Sequence, residues 1–143
     1  MEQDITQKLA ETIRFYNEKG WSPATSTNYS FRESVEAQAF FVSKSGIDKS
    51  QFGSNDFMEV DIEGNPTINS KGLKPSDETL IHSVLYQLFP ATTVILHSHS
   101  VNSVLISELF ENEISFEGYE VQKAFSGQTT HENKIDFPIL ENS

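Results

Sequence analysis

The sequence contains no cysteine. This absence excludes a disulfide framework, a thiolate metal site and a cysteine nucleophile. Any metal ion bound by the chain must therefore use imidazole and carboxylate ligands. The candidates for such a site are four histidines and twenty-one acidic residues.

Long apolar runs are also missing from the sequence. No stretch approaches the roughly 20 residues that a membrane-spanning helix needs. Met1 to Leu9 contains acids and amides, whereas a secretory signal has a basic start and an apolar segment. We therefore expect a cytoplasmic protein with no membrane partner, and a length of 143 residues predicts a single domain over residues 1–143.

Positive charge is scarce, because ten Lys and Arg stand against twenty-one Asp and Glu, for a net charge of −11. Such a surface repels nucleic-acid phosphate and anionic lipid, so we expect no nucleic-acid partner. It also repels an anionic metabolite at long range. A phosphate site in this chain would have to use local backbone N–H groups, hydroxyls and a nearby cation.

The spacing of apolar residues predicts an α/β chain. Two short strands over 29–32 and 37–42 are separated by a polar turn and are expected to pair as a hairpin. The predicted elements are helices over 4–19, 77–89 and 101–110, and strands over 29–32, 37–42, 56–62, 92–96, 119–125 and 137–140.

His97 and His99 follow the predicted strand over 92–96. Residues i and i+2 of an extended chain project to the same side, so the two imidazoles can meet at one metal ion. A His-x-His pair alone is a weak signal, and two histidines in ordinary hydrogen bonds are the alternative. The position after a buried strand favours the metal site.

Three hydroxyl-rich segments suit a phosphate. Thr25–Asn28 follows the first helix, Ser43–Gly46 follows a strand, and Ser76 lies at the start of a helix, where backbone N–H groups favour an anion. The alternatives are solvated turns for the two loops and simple N-capping for Ser76.

Glu78 and Glu120 are the acids of interest, since a carboxylate beside a metal can be a ligand or a proton carrier. In a chain this acidic, the alternative for each is a solvated surface group. His82 lies one helical turn after Glu78 and receives no role. His131 is interpreted as a loop residue, with a substitute metal ligand as the alternative.

Six segments follow one another in a characteristic order. They are GWSPATSTNYS at 20–30, SKSG at 43–46, KPSDETLIH at 74–82, LHSHSVN at 96–102, GYEVQKA at 118–124 and TTHE at 129–132. Together they resemble the class II aldolase and adducin-head family, and most closely its branch that dehydrates 5-methylthioribulose 1-phosphate. The similarity extends from about Gly20 to Leu140.

The resemblance implies an α/β/α sandwich around a mainly antiparallel sheet, C-terminally incomplete here, and assembly as a homotetramer. It also implies one Zn²⁺ per subunit and a sugar-phosphate substrate. The implied reaction is the metal-dependent dehydration of 5-methylthioribulose 1-phosphate to 2,3-diketo-5-methylthiopentyl 1-phosphate in methionine salvage.

The resemblance also implies roles for individual residues. His97 and His99 would hold the metal, and Glu120 would be the acid/base of the dehydratases, whereas aldolase relatives use the acid at the position of Glu78. The substrate would be bound by Ser26, Asn28, Ser43, Ser45, Gly46 and Ser76.

Two positions depart from the family pattern. Thr27 stands where the family has glycine before the asparagine, at a point where backbone approaches phosphate closely. The family's third metal histidine comes from a segment beyond Ser143, so His131 or Glu78 would have to complete the site within this chain. Two other functions remain open: a class II sugar-phosphate aldolase that depends on Glu78, and a non-catalytic assembly module similar to the adducin head.

Overall fold

The computed structural model describes residues 2–140, with side chains from Ile5 onward. Within this range the chain divides after Ser100 into two compact units, each with its own sheet. The single domain predicted from the chain length stays a prediction. None of the helices within residues 2–140 is long and apolar enough to cross a membrane.

The first unit contains two helices and four strands in the order predicted from the sequence. Short 3₁₀ turns connect several of them. The main elements are α1 (Glu2–Glu18), β1 (Asn28–Phe31), β2 (Ala39–Ser43), β3 (Phe57–Asp61), α2 (Thr79–Leu88) and β4 (Val94–His97).

The four strands form one antiparallel sheet in the order β3-β2-β1-β4. The predicted hairpin is confirmed, with Ser30 opposite Val42 in the β1–β2 pair. In the β1–β4 pair, Asn28 lies directly opposite His97. This register positions the end of β4 beside the beginning of β1. The loop of residues 19–27, which we call the first polar loop, enters the sheet at this point.

One face of the sheet packs against α1. Ile13 of α1 is fully buried, as are Tyr29 and Phe31 of β1, and all three belong to one apolar cluster. The ring of Phe31 stacks on Phe41 with centroids 4.9 Å apart and meets Phe57 edge-on at 5.4 Å. This face contains the aromatic core of the unit.

The opposite face packs against α2. Phe40 and Val42 of β2 point away from α1 and join Met58, Val60 and Tyr86 in a second cluster. Alternate residues of β2 therefore serve opposite faces, as the pleat of a strand requires. With helices on both faces of a mainly antiparallel sheet, the predicted α/β/α sandwich is confirmed for this unit.

The second unit consists of α3 (Val101–Leu109) and an antiparallel hairpin of β5 (Glu113–Phe116) and β6 (Ile135–Pro138). The strand predicted over 119–125 is wrong, because Glu120–Ala124 forms a 3₁₀ turn. Gln122 is buried and accepts a hydrogen bond from the Tyr119 N–H at 2.8 Å, while its own amide donates to two backbone carbonyls. These local bonds favour a turn over an extended segment.

Replacing Phe31 with alanine should lower the free energy of unfolding by about 3–5 kcal/mol, because the substitution leaves a cavity in the aromatic core. Urea unfolding followed by circular dichroism measures the change. Phe15, 47% exposed on α1, provides the control, and Phe15→Ala should cost less than about 1 kcal/mol. Similar losses in both variants would contradict this placement of the core.

Candidate active site

The imidazoles of His97 and His99 converge at the end of β4. Their Nε2 atoms lie 3.0 Å apart, and the ring centroids are separated by 4.7 Å. The backbone N–H of His99 donates to the carbonyl of Trp21 at 2.8 Å, which ties this segment to the first polar loop. Two nitrogen ligands of a tetrahedral zinc lie about 3.3 Å apart, so a small opening of the pair would admit an ion.

Glu78 lies beside this pair, immediately before α2. Its carboxylate oxygens are 3.5 Å from Nδ1 of His97 and 3.7 Å from Nε2 of His99. One candidate ligand atom from each of the three residues falls within 4.8 Å of the others. Two imidazoles and one carboxylate are a donor set that suits a divalent transition metal such as zinc.

The electrostatics of the pair favour the neutral, ligating form of imidazole. Partial burial lowers the pKa of His97, and this effect outweighs the Glu78 carboxylate, which raises it; the neighbouring His99 lowers it further. Metal binding requires an unprotonated imidazole nitrogen. His97 is therefore available as a ligand at neutral pH without first losing a proton.

A cavity of about 220 Å³ opens beside His99. Four of the six residues predicted to bind substrate line it, and so does Glu78. The complete lining consists of Thr25, Ser26, Thr27, Ser43, Lys44, Ser45, Lys49, Ser76, Glu78 and His99. The three hydroxyl-rich segments, separate in the sequence, thus surround one space next to the candidate metal ligands.

Backbone and lysine contacts hold these segments together. Lys44 forms an isolated β-bridge with Pro75, which joins the second segment to the third. Nζ of Lys49 donates to the carbonyl of Thr25 at 3.4 Å and to that of Ile47 at 3.1 Å, which joins the first segment to the residue that directly follows the second. Sequence reasoning missed Lys49, since no periodicity or motif distinguishes it from other lysines.

Lys49 is only 1% exposed, which is unusual for a lysine. Burial lowers the pKa of its amine, while the carboxylates of Asp48, Asp56 and Glu78 act in the opposite direction. An ammonium has three N–H donors, and two of them are accounted for by the two carbonyls. The same Nζ lies 5.6 Å from the centroid of the Phe52 ring, and Lys49 lines the cavity.

Two of the predicted substrate-binding residues, Asn28 and Gly46, do not line the cavity. Asn28 is fully buried, and its Oδ1 lies 2.9 Å from Nδ1 of His97. Gly46 has φ +75° and turns the second segment. Thr27 has φ +72°, a left-handed conformation that favours glycine, so the glycine of the family pattern matches the backbone geometry here.

Glu120 and His131 lie in the second unit. Glu120 is paired with Nζ of Lys123 at 2.7 Å and with Nδ1 of His131 at 2.9 Å. The hydrogen bond from Lys123 is the main cause of a lowered pKa for Glu120, so its carboxyl group is ionised at neutral pH. The predicted role of Glu120 as acid/base stays a prediction.

His82, which received no role from the sequence, is fully buried between α2 and the sheet. Burial lowers its pKa to about 4, and proximity to His97 contributes in the same direction. The signal that could have identified it is the spacing of four between Glu78, His82 and Tyr86, which places the three side chains on one face of a helix.

The fold and the donor set define an α/β protein with a candidate divalent-metal site beside a cavity lined by hydroxyl groups and two lysines. The sequence profile of the class II aldolase and adducin N-terminal domain family matches residues 7–142. The chain belongs to this family.

Two relatives show the similarity within the family. The chain is 51% identical over 142 residues to a methylthioribulose-1-phosphate dehydratase from a Picosynechococcus species. This alignment covers 98% of the chain and 66% of that enzyme. It is 42% identical over 141 residues to a protein of the same name from Pseudomonas aeruginosa, with coverage of 98% and 67%. The chain therefore spans about two thirds of the length of these relatives.

Solved structures confirm the fold. An L-fuculose-1-phosphate aldolase from Thermus thermophilus aligns with a TM-score of 0.69 at 20% identity, over 87% of this chain and 59% of that one. The L-fuculose 1-phosphate aldolase from Glaciozyma antarctica aligns with a TM-score of 0.67 at 22% identity, over 76% and 45%. At this identity the likeness concerns the fold alone.

Stability should fall as the pH drops from about 6.5 towards 4, because unfolded His82 binds a proton that the buried side chain does not. From pH 7 to pH 5 this residue should lower the free energy of unfolding by about 2 kcal/mol. Urea unfolding in the presence of chelator at both pH values measures the loss. His82→Gln should show a shallower dependence, and an equal dependence in both proteins would contradict the assignment.

Replacing Lys49 with methionine should weaken the binding of inorganic phosphate by about tenfold or more, because the cavity loses a buried charged donor. Isothermal titration calorimetry on the purified chain measures the affinity. Lys71→Met is the matched control, since Lys71 is exposed and does not line the cavity. Equal losses in both variants would show that only the overall charge matters.

Proposed function

We propose that the chain forms the substrate-binding and metal-binding part of a methylthioribulose-1-phosphate dehydratase. Such an enzyme converts 5-methylthioribulose 1-phosphate to 2,3-diketo-5-methylthiopentyl 1-phosphate in methionine salvage. The observation that supports it is the placement of His97, His99 and Glu78 beside a cavity with hydroxyls and two lysines, in a chain 51% identical to a protein of that name.

The cavity suits the phosphate of this substrate. Ser26, Ser43, Ser45 and Ser76 contribute hydroxyl groups, and Lys44 and Lys49 contribute positive charge in an otherwise acidic chain. Local donors of this kind can hold an anion against an unfavourable long-range field. The sugar part of the substrate would then extend towards His99 and Glu78, which line the same cavity.

The metal proposed for the site is one Zn²⁺ per subunit, held by His97 and His99, with Glu78 as the third group within the described residues. When bound, such an ion polarises substrate oxygens and stabilises negative charge that develops on them. His97 and His99 orient their Nε2 atoms towards a shared point, and His97 does so without a proton to lose.

Dehydration requires a proton to leave the carbon beside the carbonyl and a hydroxyl on the neighbouring carbon to leave as water. We assign the proton transfers to Glu120, whose ionised carboxylate can accept a proton and return it to the leaving hydroxyl. His131 and Lys123 hold this carboxylate through contacts of 2.9 and 2.7 Å.

The proposal also includes the location and assembly of the protein. We propose a cytoplasmic homotetramer with no nucleic-acid or membrane partner.

A second candidate function is a class II sugar-phosphate aldolase. The observation that favours it is the position of Glu78, whose carboxylate lies 3.5 and 3.7 Å from the two histidines. An acid in this place can act on a proton of a substrate held by the same histidines. A non-catalytic assembly module remains the third candidate, and the converging His97–His99 pair is the feature that speaks against it.

The test incubates the purified chain, and in parallel a C-terminally extended form, with zinc and 5-methylthioribulose 1-phosphate. We expect the diketone product from at least one form, detected by mass spectrometry. Glu120→Gln should lower kcat by about 100-fold or more, because general acid–base catalysis contributes roughly 10²–10⁴-fold. Glu78→Gln should mainly reduce zinc content.

The other outcomes discriminate among the candidates. Two-carbon or three-carbon cleavage products, with activity lost in Glu78→Gln but kept in Glu120→Gln, would favour the aldolase. A protein purified without chelator that contains no zinc, manganese, iron or cobalt by elemental analysis would favour the assembly module. No diketone from either form of the chain would refute the dehydratase.

A further inference from the structure

We propose that His82 is a positioning residue for the metal centre: together with the hydroxyls of Ser30 and Tyr86, it orients the Asn28 amide, which holds His97 with Nε2 facing the metal. This inference rests on the proposed role of His97 as a ligand. It gives a function to a buried histidine that touches neither the cavity nor the metal position.

The secondary structure explains why these residues meet. Asn28 and Ser30 are alternate residues of β1, so both project towards α2 while Tyr29 between them projects towards α1. His97 is the cross-strand partner of Asn28, and cross-strand partners project to the same face. On α2, His82 and Tyr86 are one turn apart and lie over these strands.

Four hydrogen bonds link the residues into one chain. The OH of Tyr86 lies 2.8 Å from Oγ of Ser30, which lies 2.6 Å from Nδ1 of His82. Nε2 of His82 lies 3.0 Å from Oδ1 of Asn28, and the same Oδ1 lies 2.9 Å from Nδ1 of His97. Asn28, Ser30 and His82 are at most 1% exposed, as is Tyr86.

The protons along this chain have one self-consistent arrangement, in which the donors on both sides point towards Oδ1 of Asn28. Burial keeps His82 neutral, so it has a single N–H, and the acceptor Oδ1 requires that N–H at Nε2. Nδ1 of His82 must then accept from Ser30, whose own oxygen accepts from Tyr86. By the same reasoning His97 donates from Nδ1 to Oδ1, which leaves a lone pair on its Nε2, the atom that faces Nε2 of His99.

The orientation of the Asn28 amide depends on this chain. Among the described residues, Nδ2 of Asn28 is buried and has no hydrogen-bond partner, so nothing on that side holds the group. Rotating the amide by half a turn would present Nδ2 to both imidazoles, so that Nδ1 of His97 accepts from it and the proton lies on Nε2. The other group near Nδ1 of His97 is the Glu78 carboxylate, at the longer distance of 3.5 Å. That tautomer of His97 has no lone pair to offer the metal.

The test uses the metal-free chain and two variants, His82→Leu and Tyr86→Phe. Two-dimensional proton–nitrogen NMR of ¹⁵N-labelled histidine side chains identifies the nitrogen of His97 that bears the proton. In the wild-type chain we expect Nδ1–H, and in His82→Leu a substantial fraction of Nε2–H. Competition with a chromophoric chelator should show zinc affinity reduced about 10–100-fold in His82→Leu, the range typical of such supporting residues.

Tyr86→Phe tests the same chain with a milder change and should shift both measurements in the same direction. Ser83→Ala is the matched control, because Ser83 is buried on the same helix and its hydroxyl has no partner among the described residues. Its zinc affinity should remain within about twofold of wild type, a change of less than about 0.5 kcal/mol.

Two results would overturn the inference. One is a His97 that keeps its proton on Nδ1 in both variants, and the other is zinc affinity within twofold of wild type in both. Should the wild-type chain bind no zinc, the proposed metal site itself fails. The tautomer of His97 in the metal-free protein would still decide whether His82 positions this imidazole.

Discussion

The pairing of β1 with β4 is the interaction on which the candidate site depends. Because Asn28 lies opposite His97, the polar loop that precedes β1 and the histidine segment that ends β4 arrive at the same end of the sheet. The hydrogen bond from the backbone N–H of His99 to the carbonyl of Trp21 also holds these two segments together. A shift of the register by one residue would send the side chain of His97 to the α1 face and separate it from Asn28.

The candidate site also shows how an acidic chain can concentrate positive charge at one cavity. The two lysines at the cavity are held by specific contacts: Nζ of Lys44 donates to the carbonyl of Asn55 at 2.6 Å, and Nζ of Lys49 donates to the carbonyls of Thr25 and Ile47. Placing few cations at fixed positions gives a strong local field within a surface that is negative overall. The buried amine of Lys49 is costly to desolvate, and its hydrogen bonds to two backbone carbonyls offset part of that cost.

Several elements could be predicted from local pattern. The hairpin over 29–32 and 37–42, the strand over 92–96 and the helix over 77–89 are confirmed with ends that differ by at most two residues, because alternating or helical spacing of apolar side chains is visible in a short window. The prediction of a strand over 119–125 was wrong because apolar spacing does not decide the conformation of this segment. The hydrogen bonds of Gln122 to the backbone decide that segment, and apolar spacing contains no information about them.

The sequence by itself determined the available chemistry. It offers imidazole and carboxylate as metal ligands, hydroxyl-rich segments as candidate hydrogen-bond donors to an anion, and an ordered set of motifs that indicates the family. Only the tertiary structure decided how these groups combine. It placed Lys49 between two segments, assigned Glu78 to the histidine pair, and joined His82 to His97 through Asn28. Asn28 is 54 residues from His82 and 69 residues from His97 in the chain. Their contact depends on strand register and helix placement, and no local spacing of residues encodes either.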